Sequence, residues 1–516
     1  MATLEPVSKP QIQEPAHSQT QPQCLSPAQD HNYQIIYALA VLVSISLWFI
    51  AIRAPLWLDE TGSYWQIAKG FWQIPSRQGG LSFPAYSCVL WFFTKILGTS
   101  EIALRVPSIL AMLGAAYLLY RAARELFDQD VAFITTVLFC VHPVIIFAAI
   151  DVRPYAFAAL AINAAIFALV RLRQSDSNWL AAALGVAAAF IVYFHFLFAV
   201  ILPVLLVCLL ALALGLGKTS WRQVGIALAA FAVAILPVIP GLLYMFRTRG
   251  AHVFDVPPGM GELGWTLAPG WMVYILAATA LAATATRRFN LERRVDSWRV
   301  LLCASVGLVP ILVLYGVSVW TPLHIFVYRH RVVAIPGIAL YWALMMSRVD
   351  SRAIRVAFCV AVVGTTAYQY LSSPLYRLHA YSWKYALEFA EKNASADHAP
   401  MLICSDFPEA DHELMPTENA KESALLAQLS YYKVSGPVIA LPRTLNQEAI
   451  RVASNFLQDP SQRQQRFLVL AYEFSHGILD WLAANASATY DVRLLGRFDG
   501  VAVVEFKPRS SQGTSP

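Results

Sequence analysis

The chain is short of charge. Lys, Arg, Asp and Glu make up only 14% of its 516 residues, 58% are hydrophobic and the mean hydropathy is +0.53. That balance excludes a soluble globular protein and points to a polytopic membrane protein. The net charge of +6 is no nucleic-acid signature. Lys and Arg fall in short clusters between apolar runs and form no continuous basic stripe. Cysteine is also scarce, at seven. Cys140, Cys208, Cys303 and Cys359 lie inside apolar runs, where a free thiol behaves as a small hydrophobe. With no CxxC or Cys/His spacing, neither a disulfide framework nor a zinc site is expected. Internal repeats, the usual mark of a transporter, are missing.

Residues 1–32 are rich in Pro, Gln and Ser and lack the basic and apolar regions of a signal peptide, so they read as a disordered cytoplasmic tail. Tyr33–Ile52 is the first run of the ~20 apolar residues that a bilayer needs. Further runs follow at Ala103–Tyr120, Val131–Ile150, Tyr155–Val170, Trp179–His195, Phe196–Leu214, Gln223–Tyr244, Trp271–Thr286, Val300–Val319, Val332–Ser347 and Ile354–Tyr370, which predicts about eleven spans. With the N-terminus cytoplasmic, Arg121/Arg124, Arg171/Arg173, Lys218/Arg222, Arg287/Arg288/Arg293/Arg294/Arg299 and Arg348/Arg352/Arg355 all fall in cytoplasmic loops. Counting the short run Phe83–Leu97 as a span would invert this pattern. It therefore reads as a re-entrant or interfacial helix within a large external loop, residues 53–102.

The transmembrane domain predicted this way covers residues 33–371. Residues 372–508 change character, with short apolar runs Met401–Cys404, Val438–Leu441, Phe467–Ala471 and Val501–Val504 separated by helical patterns such as Tyr381–Lys392 and Ser423–Tyr432. They predict an external α/β domain with a largely parallel sheet, followed by a flexible tail at 509–516. Its run Asp406, Glu409, Asp411, His412 and Glu413 reads as solvated charge.

The stretch Ala54-Pro-Leu-Trp-Leu-Asp-Glu-Thr-Gly-Ser-Tyr-Trp65 places Asp59 and Glu60 just beyond the first span. Two readings stand side by side. Either the acids are solvated and Trp57, Tyr64 and Trp65 form an interfacial belt, or the pair works on a lipid-borne substrate. The predicted topology brings Arg105, Asp151, Arg153, His195, Arg247, Arg249, His324, Tyr328, Arg329, His330 and Arg331 to the same external side. Arginine there runs against the usual bias, and a phosphate is the partner that a planar, permanently charged donor suits best. Leu323-His-Ile-Phe-Val-Tyr-Arg-His-Arg331 is the strongest cluster, with snorkelling at a helix end as its alternative. In Asp151-Val-Arg-Pro-Tyr155 the acid and base could merely neutralise one another. His195, alone among aromatics, reads more readily as a packed residue than as a catalyst.

The order of these motifs resembles a known family. After the Leu-Trp-Leu-Asp-Glu pair come Glu101-Ile-Ala-Leu-Arg-Val-Pro-Ser108, Tyr120-Arg-Ala-Ala-Arg-Glu-Leu-Phe127, His142-Pro143, Asp151-Val-Arg-Pro-Tyr155, Tyr193-Phe-His195 and Tyr328-Arg-His-Arg331 before Ile335-Pro336. From Tyr33 to Tyr370 the chain looks like the GT-C class membrane glycosyltransferases, in particular the family of protein O-mannosyltransferases and aminoarabinose transferases. The resemblance implies transfer of a sugar from a polyprenyl-phosphate donor to a protein, lipid or glycan acceptor on the external face, with inversion. It makes Asp59 the general base with Glu60 beside it, maps the acid after the third span onto Asp151, and turns Arg153 toward the lipid phosphate. Arg105 corresponds to the family's Arg-Leu-Pro-Ser opening, with Val106 in place of Leu. Leu81-Ser-Phe-Pro84 stands where many relatives carry a His-Pro-Pro or Lys-Pro motif.

The residues suit such chemistry in their own right. A departing polyprenyl phosphate needs cationic stabilisation more than a proton, which Arg153, Arg329 and Arg331 can supply, and an acceptor hydroxyl or amine needs one base. No cofactor is predicted; a divalent metal could help neutralise the phosphate, but no dedicated ligand cluster is apparent. The partners expected are the polyprenyl-phosphate sugar, the acceptor and membrane lipids, with no nucleic acid, in a bacterial inner membrane. A flippase for lipid-linked sugars and a non-catalytic membrane protein with an external binding domain remain the rival readings.

Overall fold

The computed structural model describes residues 27–77, 84–248, 257–290, 296–372, 383–416, 418–461 and 465–509. The expectations for residues 1–26, for Leu81-Ser-Phe83, for Arg249, Arg293 and Arg294, and for the end of the chain beyond 509 lie outside the described residues.

Among the described residues seven helices are long and apolar enough to cross a membrane: His31–Phe49, Glu101–Leu126, Tyr155–Leu172, Phe196–Leu216, Trp221–Leu243, Ser297–Trp320 and Arg352–Ser372. Two bent pairs, Gln129–Val141 with Pro143–Ile150 and Met260–Leu267 with Gly270–Ala285, raise this to as many as nine. The two other expected spans are shorter elements, the helix Asn178–Phe194 and the segment formed by a 3-10 turn Tyr328–Ala334 and the helix Ile335–Met346. The helix Pro84–Leu97 has 14 residues. At 1.5 Å per residue it is ~21 Å long, too short for a ~30 Å hydrocarbon core.

Local chemistry places the ends and bends. Ser100 and Asp128 accept hydrogen bonds from the amides of Ala103 and Val131, starting the helices that follow. His142-Pro143 breaks the third apolar run and turns it by 67°, because Pro143 has no amide to donate and fits only a first helical turn. His195, extended at φ −157° and ψ 108°, separates the two runs that meet there.

Small residues let the helices approach closely. Asn163 Nδ2 donates to the carbonyl of Ala115 across the helices Tyr155–Leu172 and Glu101–Leu126 at 2.9 Å. Gly307 and Gly337 cross backbone to backbone, and a Cβ on Gly337 would lie 2.2 Å from the Gly307 nitrogen. At the start of the helix Gln129–Val141, Arg355 pairs with Asp128 at 3.1 Å and Arg352 Nη2 donates to Asp130 Oδ1 at 2.8 Å, tying the last long helix to that one.

Among the described residues the C-terminal domain carries five strands: β1 (Met401–Cys404), β2 (Val438–Leu441), β3 (Phe467–Ala471), β4 (Tyr490–Phe498) and β5 (Val501–Pro508). Their order is β2-β1-β3-β5-β4. β2, β1 and β3 are parallel, but β5 runs antiparallel to both β3 and β4. The sheet, expected to be largely parallel, is therefore mixed. The strand that sequence reading missed, β4, is an edge strand with mostly exposed residues, so it lacks the apolar run that reveals β1, β2 and β3. The pattern Ser423–Tyr432 resolves into a 3-10 turn Ala424–Leu426 and a short helix Gln428–Tyr431.

Gly337→Val should lower the thermal midpoint of the purified protein in detergent, at a cost of at least ~1–3 kcal/mol for overpacking. Gly364→Ala, where an added Cβ meets nothing within 4 Å, should be neutral or slightly stabilising.

Candidate active site

The loop after the first long helix turns into the helix Leu58–Ile67 at Trp57, and the two adjacent acids of that turn diverge. Glu60, at the third helical position, reaches back to accept from the Trp57 amide at 3.1 Å, the acidic half of a capping box. Its other oxygen accepts from the Val152 amide at 2.9 Å, so the same side chain clamps the loop after the second bent helix. Arg105 completes the brace: Nη2 lies 2.9 Å from Glu60 Oε2 and Nε 3.3 Å from Oε1. The remaining guanidinium donors take the carbonyls of Ile52, Ala54 and Pro55 at 2.9, 2.6 and 3.2 Å. Both side chains are wholly buried.

This corrects two expectations. Arg105 does not reach out to a phosphate, because its donors are spent on Glu60 and on the carbonyls of the loop. Glu60 is a positioning residue, because its lone pairs are taken by two amides and a guanidinium.

Asp59 points the other way. Its Oδ2 lies 3.3 Å from Arg329 Nη1, and both side chains keep contact with solvent, at 17% and 22% exposed. Arg153 Nη1 approaches the Asp59 carbonyl at 3.4 Å and Ser63 Oγ at 3.5 Å. The Arg329 guanidinium stands 5.6 Å above the Trp57 ring. One carboxylate and two guanidiniums thus meet at one end of the bundle, contributed by the first loop, the loop after residue 150 and the turn after residue 327.

Asp151 lies behind them, fully buried. Trp57 Nε1 donates to its Oδ1 at 3.0 Å and Ser108 Oγ to its carbonyl at 2.7 Å, while Oδ2 has no partner. Burial, and then the Glu60 charge, push its carboxyl well above the ordinary range. It is suited to hold Trp57 in place and poorly suited to face a phosphate. Trp57 therefore serves no interfacial belt.

His195 packs on Phe198, His330 and Tyr155, with ring centroids at 4.6, 4.9 and 5.3 Å. Like His330, whose Nδ1 meets the Ile325 carbonyl at 2.8 Å, it belongs to a buried ring cluster behind Arg329. Arg331 turns away from Asp59. It pairs with Glu262, reaches Thr266 Oγ1 at 3.3 Å and lies 4.5 Å over Phe326. With Glu262, Trp265, His324, Phe326 and Tyr328 it lines a cleft of about 470 Å³. Tyr328 connects the two places, since Phe147 contacts both its ring, at 5.5 Å, and that of Trp57, at 6.0 Å. Arg247 is exposed on the helix Ile239–Thr248.

The C-terminal domain adds a nearly buried acid that sequence reading took as solvated. Asp406, two residues beyond β1, is only 7% exposed and feels the charges of Arg443 and Asp59. The acidic run it opens is thus not all solvated. Burial raises its carboxyl from 3.8 to about 6, with Arg443 opposing and Asp59 adding to the rise. The available signal was its place at the carboxyl end of a buried strand, the usual address of a ligand-facing residue in an α/β sheet. Among the described residues no group of three or more His, Cys, Asp or Glu could hold a metal.

Residues 82–244 match the family described as dolichyl-phosphate-mannose-protein mannosyltransferase. The fold is similar to that of ArnT from Cupriavidus metallidurans bound to undecaprenyl phosphate, with a TM-score of 0.55 and 12% identity over 91% of this chain and 97% of that one. A weaker likeness, with a TM-score of 0.47 and 13% identity over 91% of this chain and 70% of the other, joins it to the archaeal oligosaccharyltransferase AglB from Archaeoglobus fulgidus in complex with an inhibitory peptide and a dolichol-phosphate. No curated protein matches the sequence significantly.

Two measurements follow from this geometry. Arg105→Ala leaves Glu60 buried without its cation and should cost ~3–5 kcal/mol, read as lost yield or a collapsed melting transition. Asp406→Asn should act through pH. A carboxyl whose pKa is higher in the folded state costs stability in full above about 6 and nothing below its ordinary 3.8. The variant should therefore melt higher than wild type at pH 8, by at most about 3 kcal/mol for a shift from 3.8 to about 6, and the difference should vanish near pH 4.

Proposed function

We propose that this chain is a GT-C class membrane glycosyltransferase, related to the mannosyltransferases and aminoarabinose transferases, that moves a sugar from a polyprenyl-phosphate donor to an acceptor outside the cytoplasm, with inversion at the anomeric carbon. The observation that carries the reading is the meeting of Asp59 with Arg329 at 3.3 Å, with Arg153 against the Asp59 carbonyl. A base and two fixed cations in one partly exposed place are what such a transfer requires.

The acceptor hydroxyl or amine attacks the anomeric carbon from the face opposite the phosphate. The bond from that carbon to the phosphate oxygen breaks, and its electron pair leaves with the polyprenyl phosphate. The acceptor's proton passes to Asp59. Arg329 and Arg153 stabilise the leaving phosphate by preorganised charge in a partly desolvated mouth. A phosphate that engages Arg329 also draws it from Asp59, leaving the carboxylate able to take the proton. These two guanidiniums supply the charge that a divalent metal would bring, so the transfer is metal-independent in this reading. The setting is a bacterial inner membrane, with the site and the soluble domain on its outer side. The ArnT structure, with its bound undecaprenyl phosphate, supports the choice of donor class.

The experiment is incubation of the purified protein with radiolabelled polyprenyl-phosphate sugars, with and without EDTA. Wild type should release polyprenyl phosphate in both conditions. Asp59→Asn should lower turnover by ~10²–10⁴-fold, the usual contribution of a positioned base, while still binding donor. Arg329→Gln should lower kcat/KM for donor far more than Arg331→Ala, whose guanidinium Glu262 already holds. Full activity of Asp59→Asn would overturn the assignment of the base.

A further inference from the structure

The soluble domain contributes to the site it covers. Its parallel strands are ordered β2-β1-β3, so the chain leaves β1 on one side for β2 and returns across it to β3. At such a switch the loops beyond the carboxyl ends diverge and open a crevice, which is where α/β sheets bind their ligands. Asp406 follows β1, Arg443 follows β2, and Tyr472 and Phe474 follow β3 along that edge.

The edge is turned to the transfer site. The Phe407 ring lies 3.8 Å from where Gly62 would carry a Cβ, one helical turn beyond Asp59. Tyr432 Oη accepts from the Leu56 amide at 2.7 Å, Tyr431 Oη donates to the Thr99 carbonyl at 2.9 Å, and Lys384 pairs with Glu101 at 3.1 Å, so the domain is docked on the first loop from several sides. The loop bearing Asp406 is held by Ser405, whose Oγ donates to the Leu425 carbonyl at 2.6 Å and accepts from the Phe407 amide at 3.2 Å. The guanidinium of Arg443, which offsets Asp406, packs on Phe474 at 4.0 Å.

Asp406 is nearly buried, and Arg443 and the Trp383 side chain offset only in part the cost of that burial and of the Asp59 charge. A ligand that donates a hydrogen bond there would relieve it. We propose that Asp406 binds the acceptor. Its carboxylate takes a hydrogen bond from a hydroxyl next to the one that Asp59 deprotonates, so the acceptor is a polyhydroxylated group that enters between the sheet edge and the helix Leu58–Ile67. This rests on the transfer reading above, with Asp59 as base and the donor phosphate on the arginine side.

The test uses the full-length protein in detergent with a polyprenyl-phosphate sugar that wild type cleaves, and glycerol or 1-propanol as acceptor. Wild type should transfer to glycerol in preference to 1-propanol. Asp406→Asn should raise KM for glycerol roughly tenfold, the loss of one hydrogen bond to a charged group, and abolish the preference, with KM for donor moving less than about twofold. Asp406→Glu, which restores the charge, should recover part of the preference. An unchanged preference in Asp406→Asn, no preference in wild type, or a joint rise of both KM values would each overturn the proposal, the last by showing a general structural role. A wild type that cleaves no donor would overturn the transfer reading, and this one with it. A wild type that cleaves donor without preferring glycerol would overturn only this one.

Discussion

A buried ion pair holds one end of this helical bundle together. Glu60 and Arg105 meet beneath the surface, and between them they bind two backbone amides and three carbonyls of the residue 52–57 loop and of Val152. A charge taken this far from water is tolerable only when its whole hydrogen-bonding capacity is met, and here both partners meet that condition. What the pair provides is position. It fixes the start of the helix Leu58–Ile67, and so the direction in which the next residue along, Asp59, leaves the backbone.

Everything around Asp59 depends on that direction. Trp57, locked by Asp151, offers a ring under the Arg329 guanidinium. Arg153 reaches across from a loop that Glu60 itself holds through Val152. The C-terminal domain then packs on the same helix, with Phe407 against Gly62 and Asp406 within the field of Asp59. The site is a layered arrangement in which a fully paired buried acid supports a partly exposed one, and residues far apart in sequence surround it. The arrangement stands at the end of the bundle, where loops meet water and polar groups need not be satisfied within lipid.

The parts of the fold that follow from burial alone were legible in the residues. Long apolar runs, the proline at 143, and the strands β1, β2 and β3 all announce themselves, because a bilayer or a buried sheet leaves no room for polar side chains. β4 did not, since an edge strand facing solvent carries no such pattern, and its antiparallel pairing with β5 made the sheet mixed. In the site, Asp59, Arg153 and Arg329 could be grouped because alternating spans bring every second loop to the same side. Glu60, Arg105 and Arg331 belonged to the same group by that logic and proved to have other partners. Topology assigns a side chain to a face of the membrane and leaves its partner open.

The sequence by itself therefore determined a multi-pass membrane chain, the end of the bundle where its ionisable residues gather, and its likeness to a class of glycosyltransferases. These depend on the composition and order of segments, which the hydrophobic effect and charge translate directly into placement. Only the tertiary structure decided which of two neighbouring acids faces outward, which arginine braces the loop, and that Asp406, almost 350 residues after Asp59, shares its surroundings. Those outcomes turn on hydrogen-bond distances of about 3 Å, a scale at which adjacent residues differ and which no pattern of polarity along the chain encodes.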